Sequence, residues 1–288
     1  MPEGDTIFRT ATTLSRAIGG KLVRGFRSPL PAVSGPGAAL VGQRIVQIEP
    51  RGKNLLVCFE DGSALLTHMK MTGSWHIYRP GERWQKSERA ARVVIETDDF
   101  VAVCFAAPVV ELVPAGRLAH HPSLSRLGPD ILGGDFEVAA ARARLRELPE
   151  LPIGEALLRQ DALAGIGNVY KSEVLFLCRV DPFVKVAALS DEALDRLIAL
   201  ARDLMSRNLE GLPRTTTRPS PRAFLPRSAA RYHVYDRAGD PCPACGAPIH
   251  ASRAGSEGVA GRVTFFCPAC QPPGALGAPG PANSDRRP

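Results

Sequence analysis

No apolar run in this 288-residue chain approaches the roughly 18 residues that a membrane-spanning helix requires, so no membrane partner is expected. The start of the chain has no basic segment followed by an apolar one. Glu3 and Asp5 stand there instead, and no secretory signal is read. Acidic residues are in deficit: 29 Asp and Glu face 36 Lys and Arg, giving a net charge of +7 and a pI near 9.2. That balance favours a polyanionic partner. The seven cysteines do not form a disulfide framework. Cys58, Cys104 and Cys178 fall singly in apolar stretches, where buried inert thiols are expected, and the other four form two close pairs. An odd count grouped in this way fits a reducing compartment and a metal site, and the expected location is cytoplasmic. The length allows two domains with cores of their own.

What is present begins with Met1-Pro2-Glu3. If Met1 is removed, Pro2 becomes a terminal secondary amine able to attack an electrophilic sugar carbon and form an iminium. An α-amino group titrates near 7.7–8.0 in its ordinary state, so an appreciable fraction is neutral at pH about 7. Glu3 sets a carboxylic acid beside that amine, as general acid–base chemistry requires. A solvated terminus would carry the same residues. Asp5 is expected to cap a helix with the apolar face Ile7, Ala11, Leu14 and Ile18, ended by Gly19-Gly20. Pro2 and Glu3 would then lie just before a helix N-terminus, which disfavours an ammonium and attracts phosphate.

From Lys21 to about Val113 the pattern is that of short strands: 21–27, 44–48, 54–60, 63–68, 75–78, 92–97 and 101–106. Asp61-Gly62 reads as a two-residue hairpin turn, and the whole as a β-sandwich or barrel. Lys53, in Arg51-Gly52-Lys53, is placed in a turn near the terminal amine; the alternative is a surface lysine. His68 to Gly73 ends a strand and opens a loop, with Met69 and Met71 as core fillers unless the loop has another use. After a Pro- and Gly-rich stretch the period changes from 2 to about 3.6. Helices are expected over 137–148, 154–160 and 169–178, and a long one capped by Ser190 and closed by Gly211. Gly165-Ile166-Gly167 permits a tight double turn that leaves Asn168 at a helix N-terminus, where it can grip a phosphate or simply turn a corner.

Residues 213–237 hold six arginines and a single acid, Asp236, among Pro and Ser, and read as a mobile basic loop. Cys242-x2-Cys245 and Cys267-x2-Cys270 follow, 21 residues apart. Four thiolates in two such knuckles bind one tetrahedral zinc with no open position, a structural site. Arg262 would sit near the tip of the hairpin between them. From Gln271 onward the composition is that of a disordered tail.

Together, Met-Pro-Glu-Gly, Arg51-Gly52-Lys53, His68 to Gly73, Leu127-Gly128-Pro129-Asp130, Gly165 to Tyr170 and the four-cysteine finger resemble the formamidopyrimidine-DNA glycosylase and endonuclease VIII family of base-excision repair enzymes. The likeness runs in family order from residue 1 to about 271, and the opening resembles the endonuclease VIII branch, actinobacterial members in particular. It implies that Pro2 attacks C1′ of a damaged nucleotide, that Glu3 protonates the sugar and moves protons, and that Lys53 assists at the lesion. It further implies that Asn168 and Arg262 hold flanking phosphates and that Met71 fills the void left by the extruded base. Three departures stand out. Thr6 replaces a common second acid, residues 105–113 lack the loop that supplies two further void fillers in the formamidopyrimidine branch, and the finger spacing is long, with an inserted turn around 252–258.

The expected fold is α+β and multidomain: a catalytic β-sandwich with a leading helix (1–113), a linker (114–135), a helix–two-turn–helix DNA-binding domain with the basic loop (136–237), a zinc finger (238–271) and a tail (272–288). The expected activity is a bifunctional glycosylase and abasic-site lyase on oxidised pyrimidines in double-stranded DNA, monomeric and nucleoid-associated. The alternatives are the same chemistry on oxidised purines, a non-catalytic damaged-DNA binder, and a zinc-ribbon adaptor.

Overall fold

Two compact units, 1–127 and 128–288, make up the chain. The computed structural model describes residues 2–210, 213–217, 231–253 and 262–277. The first unit opens with helix α1 (Gly4–Ile18), which forms because Ile7, Ala11, Leu14 and Ile18 recur on one face, and all four are buried. The helix starts earlier than the Asp5 cap predicts. Glu3 is the N-cap, and its carbonyl accepts the N–H groups of Thr6 (2.9 Å) and Ile7 (3.1 Å). Asp5 lies instead inside the first turn, fully buried, where the helix's positive end favours an acid.

Strands β1 (Gly25–Arg27), β2 (Ile45–Arg51), β3 (Asn54–Phe59), β4 (Ala64–His68), β5 (Ser74–Tyr78), β6 (Ala91–Glu96), β7 (Val101–Phe105) and β8 (Val109–Val113) form two antiparallel sheets, ordered β1-β6-β7-β5 and β2-β3-β4-β8. Leu55, Val57 and Leu65 of one sheet meet Val93, Ile95 and Cys104 of the other, and α1 packs along β2 and β3 to complete that core. This is a sandwich, with short helices α2 (Pro31–Gly37) and α3 (Pro122–Ser125) at its margins. The turn at Asp61-Gly62 is longer than a two-residue hairpin. Residues 60–63 separate β3 from β4, and Asp61 Oδ1 accepts from Ser63 N (2.8 Å).

The second unit holds helices α4 (Val138–Arg146), α5 (Ile153–Ala156), α6 (Asn168–Leu177) and α7 (Asp191–Ser206), followed by the hairpin β9 (His250–Ser252) and β10 (Thr264–Phe266). Ser190 caps α7, its Oγ accepting from Ala193 N at 3.2 Å. That helix stops at Ser206, ahead of the expected Gly211, which lies outside the described residues. Asn208 closes the helix instead, donating to Leu204 O at 2.8 Å. Helix α5 is a single turn, where a longer helix was expected, because residues 157–167 are spent on the double turn into α6.

Residues 272–277 also depart from expectation. They do not begin a disordered tail, since Ala275 O accepts from Asp181 N (2.9 Å) and Gly274 N donates to Asp181 Oδ2 (2.8 Å). Residues 278–288, residues 218–230 of the basic loop and residues 254–261, which include most of the inserted finger turn around 252–258, lie outside the described residues. No helix among the described residues is long and apolar enough to cross a membrane.

Candidate functional site

In the first unit the site residues sit at turns and ends held by the sandwich. Pro2 is half-buried at the mouth of α1, and Glu3, the helix N-cap, is fully buried. Asp5, one residue past the helix start, accepts from Thr6 Oγ1 (3.3 Å) and faces Arg9 at 3.9 Å. Gly52-Lys53 is a two-residue hairpin, since Arg51 pairs with Asn54, and Gly52 takes φ 58° at the first central position. Only glycine adopts that backbone cheaply, which is why Lys53 is presented at the turn.

The two methionines after β4 have opposite fates. Met69 is 2% exposed and belongs to the core, whereas Met71 is 65% exposed. The loop that carries Met71 is stiff. Gly73 N donates to Met69 O (2.8 Å), Thr72 Oγ1 donates to Ala106 O (2.9 Å), and a Cβ on Gly73 would lie 2.7 Å from Met69 Cα. An apolar side chain is thus held out in water by a braced turn, the arrangement an intercalating wedge needs.

In the second unit, Gly165 takes φ 103° in the turn before α6, and Asn168 is the first residue of that helix. Asn168 Nδ2 donates to Val263 O at 2.8 Å, so the helix N-terminus and the residue next to exposed Arg262 are in direct contact. The four finger cysteines converge with all Sγ atoms within 4.8 Å of one another, Cys242 to Cys270 at 3.8 Å and Cys245 to Cys267 at 3.5 Å. A disulfide needs about 2.05 Å, whereas sulfurs about 2.3 Å from one tetrahedral zinc stand about 3.8 Å apart. A backbone N–H from Ala247 holds Cys245 down to about 7, while burial and the neighbouring sulfurs push Cys267 and Cys270 up.

Family models match the chain in three consecutive stretches. The formamidopyrimidine-DNA glycosylase N-terminal domain covers residues 1–108, its H2TH domain 127–219, and the zinc finger found in FPG and IleRS 239–273. The chain belongs to the formamidopyrimidine-DNA glycosylase and endonuclease 8 family. It is 36% identical to a probable endonuclease 8 2 of Streptomyces coelicolor, over 94% of each chain. It is 35% identical to the DNA-(apurinic or apyrimidinic site) lyase Nei2 of Mycolicibacterium smegmatis, covering 94% of this chain and 99% of that one. Among solved structures, MutM (Fpg) of Thermus thermophilus superposes with a TM-score of 0.75 at 30% identity, over 94% of this chain and 98% of that one. The finger of this family member holds one structural Zn2+ on Cys242, Cys245, Cys267 and Cys270.

Sequence reasoning missed two buried ionic residues of α6. Lys171 is 1% exposed and Glu173 is fully buried. Glu173 accepts from the backbone N–H groups of His233, Val234 and Tyr235 (each 2.9 Å), from His233 Nδ1 (2.9 Å) and from Thr216 Oγ1. Burial pushes its carboxyl up, but the hydrogen bonds and charge of His233, with Thr216, outweigh that and hold it below the ordinary glutamate value. The one signal in the sequence was a Lys-Ser-Glu run inside an otherwise apolar helix.

Proposed function

We propose that this protein is a bifunctional DNA glycosylase and abasic-site lyase that removes oxidised pyrimidines from double-stranded DNA. The observation that carries the reading is the mouth of α1, where Pro2, whose nitrogen becomes a terminal secondary amine once Met1 is removed, precedes the fully buried N-cap Glu3. On this reading the flipped nucleotide meets the neutral Pro2 amine at C1′. The new C–N bond forms as the bond to the base breaks, the base leaves with a proton, and Glu3 protonates the ring oxygen so that the sugar opens to an iminium. Loss of a C2′ proton then expels the 3′ phosphate, and a second elimination expels the 5′ phosphate, leaving a gap with phosphate ends. Lys53 assists from its hairpin, and Met71 occupies the vacated stack. Asn168 and Arg262 hold the phosphates, so affinity falls with salt.

The names of the endonuclease 8 relatives support the choice of branch. So does the lack of a second wedge-bearing loop: residues 109–113 are committed to strand β8, paired with β4. Flipping costs a few kcal/mol and least at a damaged pair, so part of the selectivity lies in the lesion itself. The domain scheme expected from the sequence is retained as part of this reading. Chemistry resides in 1–113, DNA grip in 136–237 and the finger in 238–271, in a monomeric, nucleoid-associated enzyme.

Borohydride trapping on duplexes carrying thymine glycol, 8-oxoguanine opposite cytosine, or a plain abasic site tests the proposal. A covalent band on thymine glycol is expected. A stronger band on 8-oxoguanine keeps the mechanism and overturns the substrate, whereas bound DNA with no band on any duplex would make the chain a non-catalytic binder.

A further inference from the structure

Lys171 follows Asn168 by three residues on α6, so the two side chains share a face of the helix. The lysine does not reach for solvent. Its Nζ donates to Asn168 Oδ1 at 2.7 Å and to Thr264 Oγ1 at 2.8 Å, and approaches Val263 O at 3.4 Å. An ammonium can only donate, so it decides which end of the Asn168 carboxamide is oxygen and turns the Nδ2 end toward Val263 O. With one Nδ2 hydrogen on that carbonyl and Oδ1 on the lysine, the second Nδ2 hydrogen is the one left for an anion. The same ammonium grips the first residue of β10, two positions beyond Arg262. One buried side chain therefore ties the start of the helix to the start of the finger strand.

We infer that Lys171 is a positioning residue of the phosphate grip, fixing the Asn168 carboxamide and the base of the Arg262 segment so that both meet the DNA backbone together. This rests on the reading of Asn168 and Arg262 as phosphate ligands. Lys171 itself need not touch DNA.

The test is equilibrium binding of a duplex with a tetrahydrofuran abasic-site analogue, from 50 to 200 mM salt, by the zinc-loaded full chain. The variants are Asn168→Ala, Arg262→Ala, Lys171→Met, Thr264→Val and the double Asn168→Ala/Lys171→Met, each with zinc content and melting temperature measured. Lys171→Met is expected to bind about tenfold more weakly, as the loss of one charge-assisted contact would. The double variant should lose no more affinity than the worse single, and the salt slope should flatten by about one phosphate's worth in Arg262→Ala, which removes a cation from the backbone contact. If Asn168→Ala weakens binding but Lys171→Met does not, the positioning role is overturned and the phosphate reading stands. Additive losses in the double variant also overturn it, since the lysine would then act on its own. If Asn168→Ala and Arg262→Ala both bind like the unaltered chain, the phosphate reading falls and the proposal with it. Should Lys171→Met lose zinc or melt early, Thr264→Val carries the test. It removes the ammonium's anchor on β10, and a smaller loss of about threefold is expected. Unchanged affinity there would overturn the role.

Discussion

The two units bury their charged groups in opposite ways. In the first, the buried acids Glu3 and Asp5 are gathered at one end of α1, and the interior between the sheets is aliphatic. In the second, Lys171, Ser172 and Glu173 lie inside a helix that is buried along its length. Glu173 is tied to Thr216 and His233, and Lys171 to Asn168 on its own helix and to Thr264 far along the chain. A sandwich whose strands pair edge to edge is held together largely by its ladders and its aliphatic interior. The second unit must hold short irregular segments and a finger hairpin against one helix, and it does so with charge-assisted hydrogen bonds. Polar substitutions should therefore change the reaction in one unit and the architecture of the grip in the other.

The largest expected effect that separates the units comes from Glu3→Gln. Base removal from an intact lesion should slow by about 10²–10⁴, with duplex affinity nearly unchanged. Equal losses on a preformed abasic site would contradict the acid role. Cys245→Ser should release the zinc and weaken DNA binding through the finger while leaving the sandwich folded; metal content equal to that of the unaltered chain would refute the four-thiolate site.

Glu173→Gln should cost about 3 kcal/mol in denaturant unfolding at neutral pH, because five donors lose their anion. The direction with pH follows from the lowered carboxyl value. Its stabilisation is fully present above the unfolded glutamate range near 4.3 and is lost as pH falls through the lower folded value. The gap between the two proteins should close in acid, and a gap that widened there would contradict the assignment. Met71→Ala is the mildest, with base removal about tenfold slower and abasic-site cleavage unaffected. Equal slowing of both steps would remove the wedge role.

Much of this plan could be read from residue patterns. Helix α1, seven of the eight sandwich strands, Asn168 at a helix start and the cysteine knuckles each follow from local periodicity or spacing. Helix α2 could not be read, because Pro31 to Gly37 contains two prolines and two glycines. Tertiary packing holds it, with Val33 1% exposed and a Cβ on Gly37 only 2.1 Å from the Phe26 ring. Strand β8 was hidden by Glu111 between its apolar residues and is made a strand by its pairing with β4. The roles of Lys171 and Glu173 were beyond local reading for a simpler reason. A charged residue in an apolar helix is interpretable only when its partners are known, and apart from Asn168 those partners are 43 to 93 residues away.

The central claim, that chemistry lies with the amine at α1 and grip with α6 and the finger, is tested most directly by one crossed measurement. Pro2→Gly and Asn168→Ala are each assayed for borohydride trapping at saturating enzyme and for duplex affinity. The account predicts that Pro2→Gly abolishes trapping and binds like the unaltered chain, while Asn168→Ala binds about tenfold more weakly yet traps fully once saturated. Undiminished trapping by Pro2→Gly, or undiminished affinity in Asn168→Ala, would contradict it.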